Sequence, residues 1–182
     1  MEFHPPEELR GQVVTLRRYR LDDLYALKAA TAASLDNLRP WMPWAQAPPT
    51  DESVLAFLQP SAEQFGGTAE ANYAITMKTS GDYVGSCGLM PRVGPGALEI
   101  GYWVHSGYLR LGIATEATSL VANAALALPE IKRVEIHCDE ANIASRTIPS
   151  RLGFQLARIE PKEIEAPGEV GRSMIWVTEQ AV

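Results

Sequence analysis

The chain is poor in the residues that carry metal and redox chemistry. Its 182 residues include two cysteines, Cys87 and Cys138, and three histidines, His4, His105 and His137. Two cysteines in a chain of this size do not make a disulfide framework. Both lie in apolar, strand-like runs and read as buried, reduced thiols. There is no His-Glu-x-x-His pair and no Cys-x-x-Cys spacing, so no metal site is expected. The sequence also lacks Gly-x-Gly-x-x-Gly after a strand, and Gly-x-x-x-x-Gly-Lys-Ser/Thr anywhere. Those absences argue against a dinucleotide fold and a nucleoside triphosphate loop. Positive charge is in deficit, with 16 Lys and Arg against 22 Asp and Glu and a net charge of −6. Nucleic-acid binding needs a basic footprint, so it is not expected. The uncharged stretch 117–129 is too short to span a bilayer. The first ten residues are acidic and proline-bearing rather than signal-like, so a cytoplasmic protein is expected.

What is present suits one globular domain over 1–182. The length allows a substantial core. Hydrophobic residues at 46% and charged residues at 21% place the chain with ordinary globular proteins rather than disordered ones. Residues 12–18 alternate as a first strand. Asp22 or Asp23 opens a helix with Leu24, Leu27 and Lys28 at helical spacing. The prolines of 40–49 break regular structure. Thr50 or Asp51 caps a second helix holding Val54, Leu55 and Leu58. Three strands follow at 73–77, 83–90 and 98–104, with turns at Gly81-Asp82 and Gly94-Pro95-Gly96. A third helix starts at Gly112. Then come a strand at 133–138, a helix at 142–151, and strands at 154–159 and 174–177. The charged region 160–172 reads as a loop. The order βααβββαβαββ predicts a mixed α/β (α+β) domain with a largely antiparallel sheet.

Residues 99–118 carry the most chemical information. They run as a strand with an early carboxylate, Glu99, then a turn, then the helix start Gly112-Ile113-Ala114. A helix start has unpaired N–H groups and the positive end of the dipole. A small residue there lets a phosphate approach the backbone. The alternative is an ordinary strand–turn–helix unit that binds nothing.

Leu109-Arg110-Leu111-Gly112-Ile113-Ala114 resembles the acyl-CoA loop of GNAT-type N-acetyltransferases, Gln/Arg-x-x-Gly-x-Gly/Ala. It departs at Leu109, which removes one side-chain contact and leaves the backbone cradle. Residues 38–44, Leu-Arg-Pro-Trp-Met-Pro-Trp, resemble the Leu-Arg-Pro-Trp-Leu-x-Trp segment of the RimJ/RimL-like branch, the ribosomal-protein N-terminal acetyltransferases and their relatives. Residues 142–154 are similar to that branch's Asn-x-x-Ser-x-x-x-Pro-x-x-Leu-Gly-Phe segment. The three motifs fall in the family's order between residues 38 and 154, and the resemblance covers roughly 12–178.

The resemblance implies the GNAT fold, with strands near 98–104 and 133–138 splaying to admit acetyl-CoA as cosubstrate. Pantetheine would run along Tyr102, Trp103 and Val104, with the oxyanion met by N–H groups near Trp103 and Val104. The pyrophosphate would meet the N–H groups of Arg110, Leu111, Gly112, Ile113, Ala114 and Thr115, with Arg110 as a charge partner. The anionic ligand requires a locally positive site despite the net charge. Glu99 corresponds to a base or water-relaying carboxylate in several such enzymes. Its alternative is a solvated strand-end charge. Glu116 reads as complementing the helix dipole.

Asn142 and Ser145, at i and i+3, share a helical face. Asn142 suits the amides of pantetheine. Its alternative is a helix N-cap. Ser145 corresponds to a serine near the CoA sulfur in RimL-like enzymes and would assist the thiolate. Trp41 and Trp44 either line an acceptor pocket or seal helices onto the sheet. Arg39 either attracts an acidic group on the acceptor or pairs at the surface. Tyr102 also reads as packing, or as an alternative proton donor. The expected activity is acetyl transfer to a primary amine, with a protein N-terminal amine favoured. A small amine, amino acid or antibiotic is the alternative acceptor. A non-catalytic acyl-CoA-binding domain is the alternative of another class. No membrane partner is expected, and a homodimer is allowed.

Overall fold

The structure is a computed structural model and describes residues 2–182. Its centre is an eight-stranded open sheet with strand order β1-β2-β3-β4-β5-β6-β8-β7. In chain order the elements are β1 (Glu8–Arg10), β2 (Val14–Arg18), α1 (Leu24–Leu38), α2 (Asp51–Glu63), β3 (Ala71–Met77) and β4 (Tyr83–Met90). Then follow β5 (Ala97–Val104), α3 (Ile113–Leu126), β6 (Arg133–Asp139), α4 (Ile143–Arg151), β7 (Gln155–Pro161) and β8 (Arg172–Thr178). The expected order is thus extended by one strand, β1. It is three residues long, charged and mostly exposed, so it carries no burial pattern to read. The expected loop at 160–172 is shorter, because β7 continues through Glu160 and Pro161. An edge strand tolerates proline, since the N–H on its free side needs no partner.

All strand pairs are antiparallel except β5 with β6. Parallel neighbours need a crossover, and α3 supplies it. Its buried face is Ile113, Ala117, Val121, Ala122 and Ala125, set against the sheet core of Leu89, Leu98, Ile100, Val134 and Ile136. The alanines let the helix lie close to the strands. Each larger apolar side chain buried here contributes about 1.5–3 kcal/mol. A second, smaller core covers the opposite sheet face. It joins Leu27 of α1 and Val54 and Leu58 of α2 to Tyr19 and Ala74, with Tyr83 and Trp103 packed against it.

Local signals set the helix starts. Thr50 caps α2, its hydroxyl accepting from Ser53 N at 3.1 Å. Asp23 does not cap α1 in that way. A short 3-10 turn, Leu21–Asp23, precedes the helix. The Asp23 carboxylate instead holds Arg17 at 2.6 and 2.8 Å and accepts from the Arg20 N–H. Burial pushes that carboxyl up, and the Arg17 and Arg20 bonds bring it below its usual range. Among the described residues, no helix is long and apolar enough to cross a membrane.

Candidate active site

The parallel pairing of β5 and β6 lasts three residues, Ala97↔Arg133 to Glu99↔Glu135. Beyond that point both strands continue, β5 to Val104 and β6 to Asp139, without pairing each other. β5 remains bonded to β4 up to Val104, and β6 to β8 up to Asp139. The two inner edges therefore diverge and leave backbone groups of 100–104 facing an opening. Unpaired edge N–H and C=O groups are a ready template for an extended ligand.

The turn ahead of α3 follows the end of β5, past the point where the two strands part. Arg110 has φ 61°, the only non-glycine residue with positive φ among those described, and Gly112 has φ 78°. Only glycine adopts the second conformation without strain. The reversal makes Gly112 the N-cap of α3. Gly112 O then accepts the first intrahelical bond, from Glu116 N at 2.9 Å. The amides of 109–115 find no acceptor among the described residues. An open cleft of about 830 Å³ runs past this turn, with Arg10, Lys78 and Arg151 among its lining residues. Three cations thus border the cleft beside the Glu116 carboxylate, and Arg10 among them is paired with Glu8.

Glu116 also lines that cleft, but its carboxylate is engaged. It accepts from the amides of Gln12, Val13 and Val14. Glu116 thus ties the first turn of α3 to the start of β2, a role its sequence position did not reveal.

The chain belongs to the GNAT acetyltransferase family. The family model for the acetyltransferase (GNAT) domain matches residues 14–155. Solved structures show the same GNAT fold. The microcin C7 self-immunity acetyltransferase MccE, in complex with acetyl-CoA and AMP, is 20% identical with a TM-score of 0.82, covering 93% of this chain and 94% of that one. RimL, a ribosomal L7/L12 alpha-N-protein acetyltransferase in complex with CoA, is 18% identical with a TM-score of 0.80, covering 95% and 98%. Mycobacterium smegmatis RimJ, in complex with CoA-disulfide, is 22% identical with a TM-score of 0.74, covering 96% and 85%. No curated protein sequence matches this chain.

The GNAT sheet separates the candidate residues onto two faces. On the α3/α4 side, Tyr102 of β5 donates its hydroxyl to Ser145 O at 3.0 Å and lies 3.2 Å from Ser145 Oγ. Burial pushes the Tyr102 phenol well up, despite its bond to Ser145. The Cys138 thiol of β6 also meets Ser145 and is pushed up to about 11 by burial. Asn142 is the N-cap of α4, accepting from Ser145 N at 3.1 Å. Its side-chain N–H₂ finds no acceptor among the described residues and is free to meet a ligand carbonyl.

On the other face, the register partners Glu99 and Glu135 place two carboxylates side by side. Like charges so placed need cations. Arg92, from the β4–β5 connection, holds both oxygens of Glu99 at 2.8 and 2.7 Å. Arg133 binds Glu135 at 2.7 Å. His137 stands two residues further along β6, with Nε2 at 2.8 Å from Glu135 and Nδ1 at 3.9 Å from Glu99. Burial pushes the Glu135 carboxyl up, but the His137 and Arg133 bonds hold it below its ordinary value. Arg92, Glu135 and His137 were not singled out from the sequence. The available signal was Glu135-Ile136-His137, whose alternation puts the carboxylate and imidazole on one strand face.

The same face carries the tryptophans. Trp44 is 54% exposed and meets Trp103 at 6.1 Å between ring centroids. Trp103 in turn meets Tyr83 at 6.1 Å. Trp41 is half-buried, and its N–H bonds Leu38 O. The segment is fixed by Gln46, whose amide donates to Arg39 O and Met42 O. Arg39 lies 3.9 Å from Asp36 at the surface.

A strap between β7 and β8 reaches this segment. Gly168 N donates to Pro40 O at 2.8 Å, and a Cβ at Gly168 would lie 2.6 Å from that oxygen. The strap is held internally by Glu169, which binds Lys162 and the amides of Glu165 and Ala166. Its far end is held by Asp139 of β6, which accepts from Val170 and Gly171.

Proposed function

We propose that this protein transfers an acetyl group from acetyl-CoA to a primary amine, and that its favoured acceptor is a protein N-terminal amine. The observation that carries the reading is the opening between β5 and β6 beneath a turn of unpaired amides. That arrangement suits an extended amide-bearing arm ending in phosphates. The amides of Arg110, Leu111, Gly112, Ile113, Ala114 and Thr115 are the proposed pyrophosphate donors. The free edge at Tyr102, Trp103 and Val104 is the proposed pantetheine and oxyanion contact, helped by Asn142. Oriented N–H donors in a dry cleft contribute about 2.7–4 kcal/mol each to the transition state.

The two faces divide the proton chemistry. The Tyr102–Ser145 pair stands on the α4 side, where Ser145 would supply a proton to the departing thiolate. Glu99 and His137 stand on the tryptophan side, where the amine would lose one. The acceptor would enter past Trp41, Trp44 and Arg39, beside the strap. An α-amine, with a reference pKa near ~7.7–8.0, presents far more free base at neutral pH than a lysine near ~10.4. That difference, with the RimL and RimJ structures among the similar folds, supports the N-terminal acceptor.

The test is a CoA-release assay with acetyl-CoA against peptides, N-terminally blocked peptides and small amines. Mass spectrometry then locates the acetyl group. Acetylation confined to free peptide N-termini is expected. Turnover only with small amines would overturn the acceptor assignment. Acetyl-CoA binding without turnover on any acceptor would favour a non-catalytic binding domain.

A further inference from the structure

We propose that His137, held in place by Glu135, accepts the acceptor amine's proton, and that Glu99 acts as the ion-pair partner of Arg92 that frames it. This deepens the acetyl-transfer reading and rests on it.

Four observations carry it. First, both Glu99 oxygens already accept from Arg92, at 2.8 and 2.7 Å. Taking a proton would break that two-point pair, which is among the stronger charge-assisted arrangements. Second, Glu135 is 2% exposed and its carboxylate can only accept. With Nε2 at 2.8 Å, the imidazole must donate from Nε2. That fixes the tautomer and leaves the Nδ1 lone pair on the side toward β5. Third, His137 lies two residues past the last β5–β6 register pair, where the strands have parted. Fourth, its side chain is 25% exposed, so an amine or one water can reach it.

Charged groups share its face of the sheet, with Arg158 of β7, bonded to Glu160, beyond Ile175. β5 contributes Glu99, the β4–β5 connection Arg92, and β6 contributes Arg133, Glu135 and Asp139. Glu70 and the strap residue Glu165 act on Arg92. Ile175, the register partner on β8, is apolar.

The ammonium passes one proton to Nδ1, directly or through one water. The freed nitrogen lone pair attacks the thioester carbon. When the tetrahedral species collapses, the C–S bond breaks and its electron pair leaves on sulfur. The nitrogen sheds a second proton to water, the thiolate takes one from the Ser145 hydroxyl, and the proton released to water restores Ser145. Imidazolium returns its proton to solvent. The balance is ammonium plus thioester to amide, thiol and one free proton.

The experiment compares wild type, His137→Gln, His137→Asn, Glu99→Gln and Glu135→Gln. Circular dichroism checks folding, and calorimetry measures acetyl-CoA binding. His137→Gln and His137→Asn are expected to lower kcat by ~10²–10⁴-fold, with acetyl-CoA affinity within about twofold of wild type. In both, the acidic limb of the kcat/KM profile should move up to the acceptor amine's own pKa, near ~7.7–8.0, because only amine that arrives neutral can react. It should keep its wild-type position in Glu99→Gln and move to lower pH in Glu135→Gln, which no longer stabilises imidazolium. A folded His137→Gln with wild-type kcat and an intact limb would overturn the proposal. The same upward move of the limb in Glu99→Gln alone would also overturn it and assign the proton to Glu99. A wild-type protein that acetylates no amine would overturn the acetyl-transfer reading and this proposal together.

Discussion

Removing the Glu116 carboxylate should loosen the turn ahead of α3 and destabilise the whole domain. In Glu116→Ala, the amides of Gln12, Val13 and Val14 lose their shared acceptor, with two of those bonds at 3.1 Å. A hydrogen bond to a charged group contributes about 1.5–3 kcal/mol. Three would sum to roughly 4.5–9 kcal/mol if water were excluded. The site borders an open cleft, so water replaces part of what is lost, and roughly 2–3 kcal/mol is expected. For a domain of this length each kcal/mol lowers Tm by about 2–4 °C. Glu116→Ala should therefore melt roughly 4–12 °C below wild type. Glu116→Gln keeps one accepting oxygen and loses the charge, so it should fall between the two. The assay is thermal denaturation followed by circular dichroism, repeated with saturating acetyl-CoA. The ligand-induced rise in Tm should shrink in Glu116→Ala, because the same carboxylate positions the proposed phosphate donors. A Tm within about 1 °C of wild type would refute the clamp.

Three further outcomes are expected. Gly112→Glu forces a side chain into a φ of 78° and sets a negative charge beside the turn, so acetyl-CoA affinity should drop at least tenfold by calorimetry in a protein that still folds. Trp44→Ala should raise the acceptor KM several-fold with less than about 1 kcal/mol of stability lost, because the side chain is more than half exposed; an unchanged KM would restore Trp44 to the surface. Asp23, Glu135, Asp139 and Glu169 all have carboxyls depressed in the fold, where burial is outweighed by Arg17 and Arg20, by His137 and Arg133, by backbone amides, and by Lys162 with backbone amides. Their stabilisation is full above the unfolded pKa of ~4 and is lost as pH falls through the folded values, so Tm should drop steeply below pH ~4; a flat Tm between pH 5 and 3 would contradict this.

The sequence made the frame of this site legible and left its electrostatics hidden. Strands β2 to β6 alternate or run apolar because both sheet faces are covered, and α3 shows its small-residue face at helical spacing. Gly112 could be read as the turn because a helix start and a positive φ call for that residue type. β7 gave a weaker signal, since every residue in it is exposed and no period of burial marks its end. Asn142 stood between ligand and cap, and its Oδ1 serves as the cap while its N–H₂ stays free. The Arg92–Glu99–His137–Glu135 cluster draws on a loop and two strands separated by α3. Only the parallel crossover brings these residues together, and no local spacing records it.

The central claim is that acetyl-CoA is held in the opening between β5 and β6, under the turn at 110–115. Amide hydrogen exchange with and without acetyl-CoA tests it most directly. Slower exchange is predicted at 110–115 and along 100–104, with β1 and the outer strand β7 unchanged. Acetyl-CoA binding that leaves both segments unprotected, or protects another part of the sheet instead, would contradict the account.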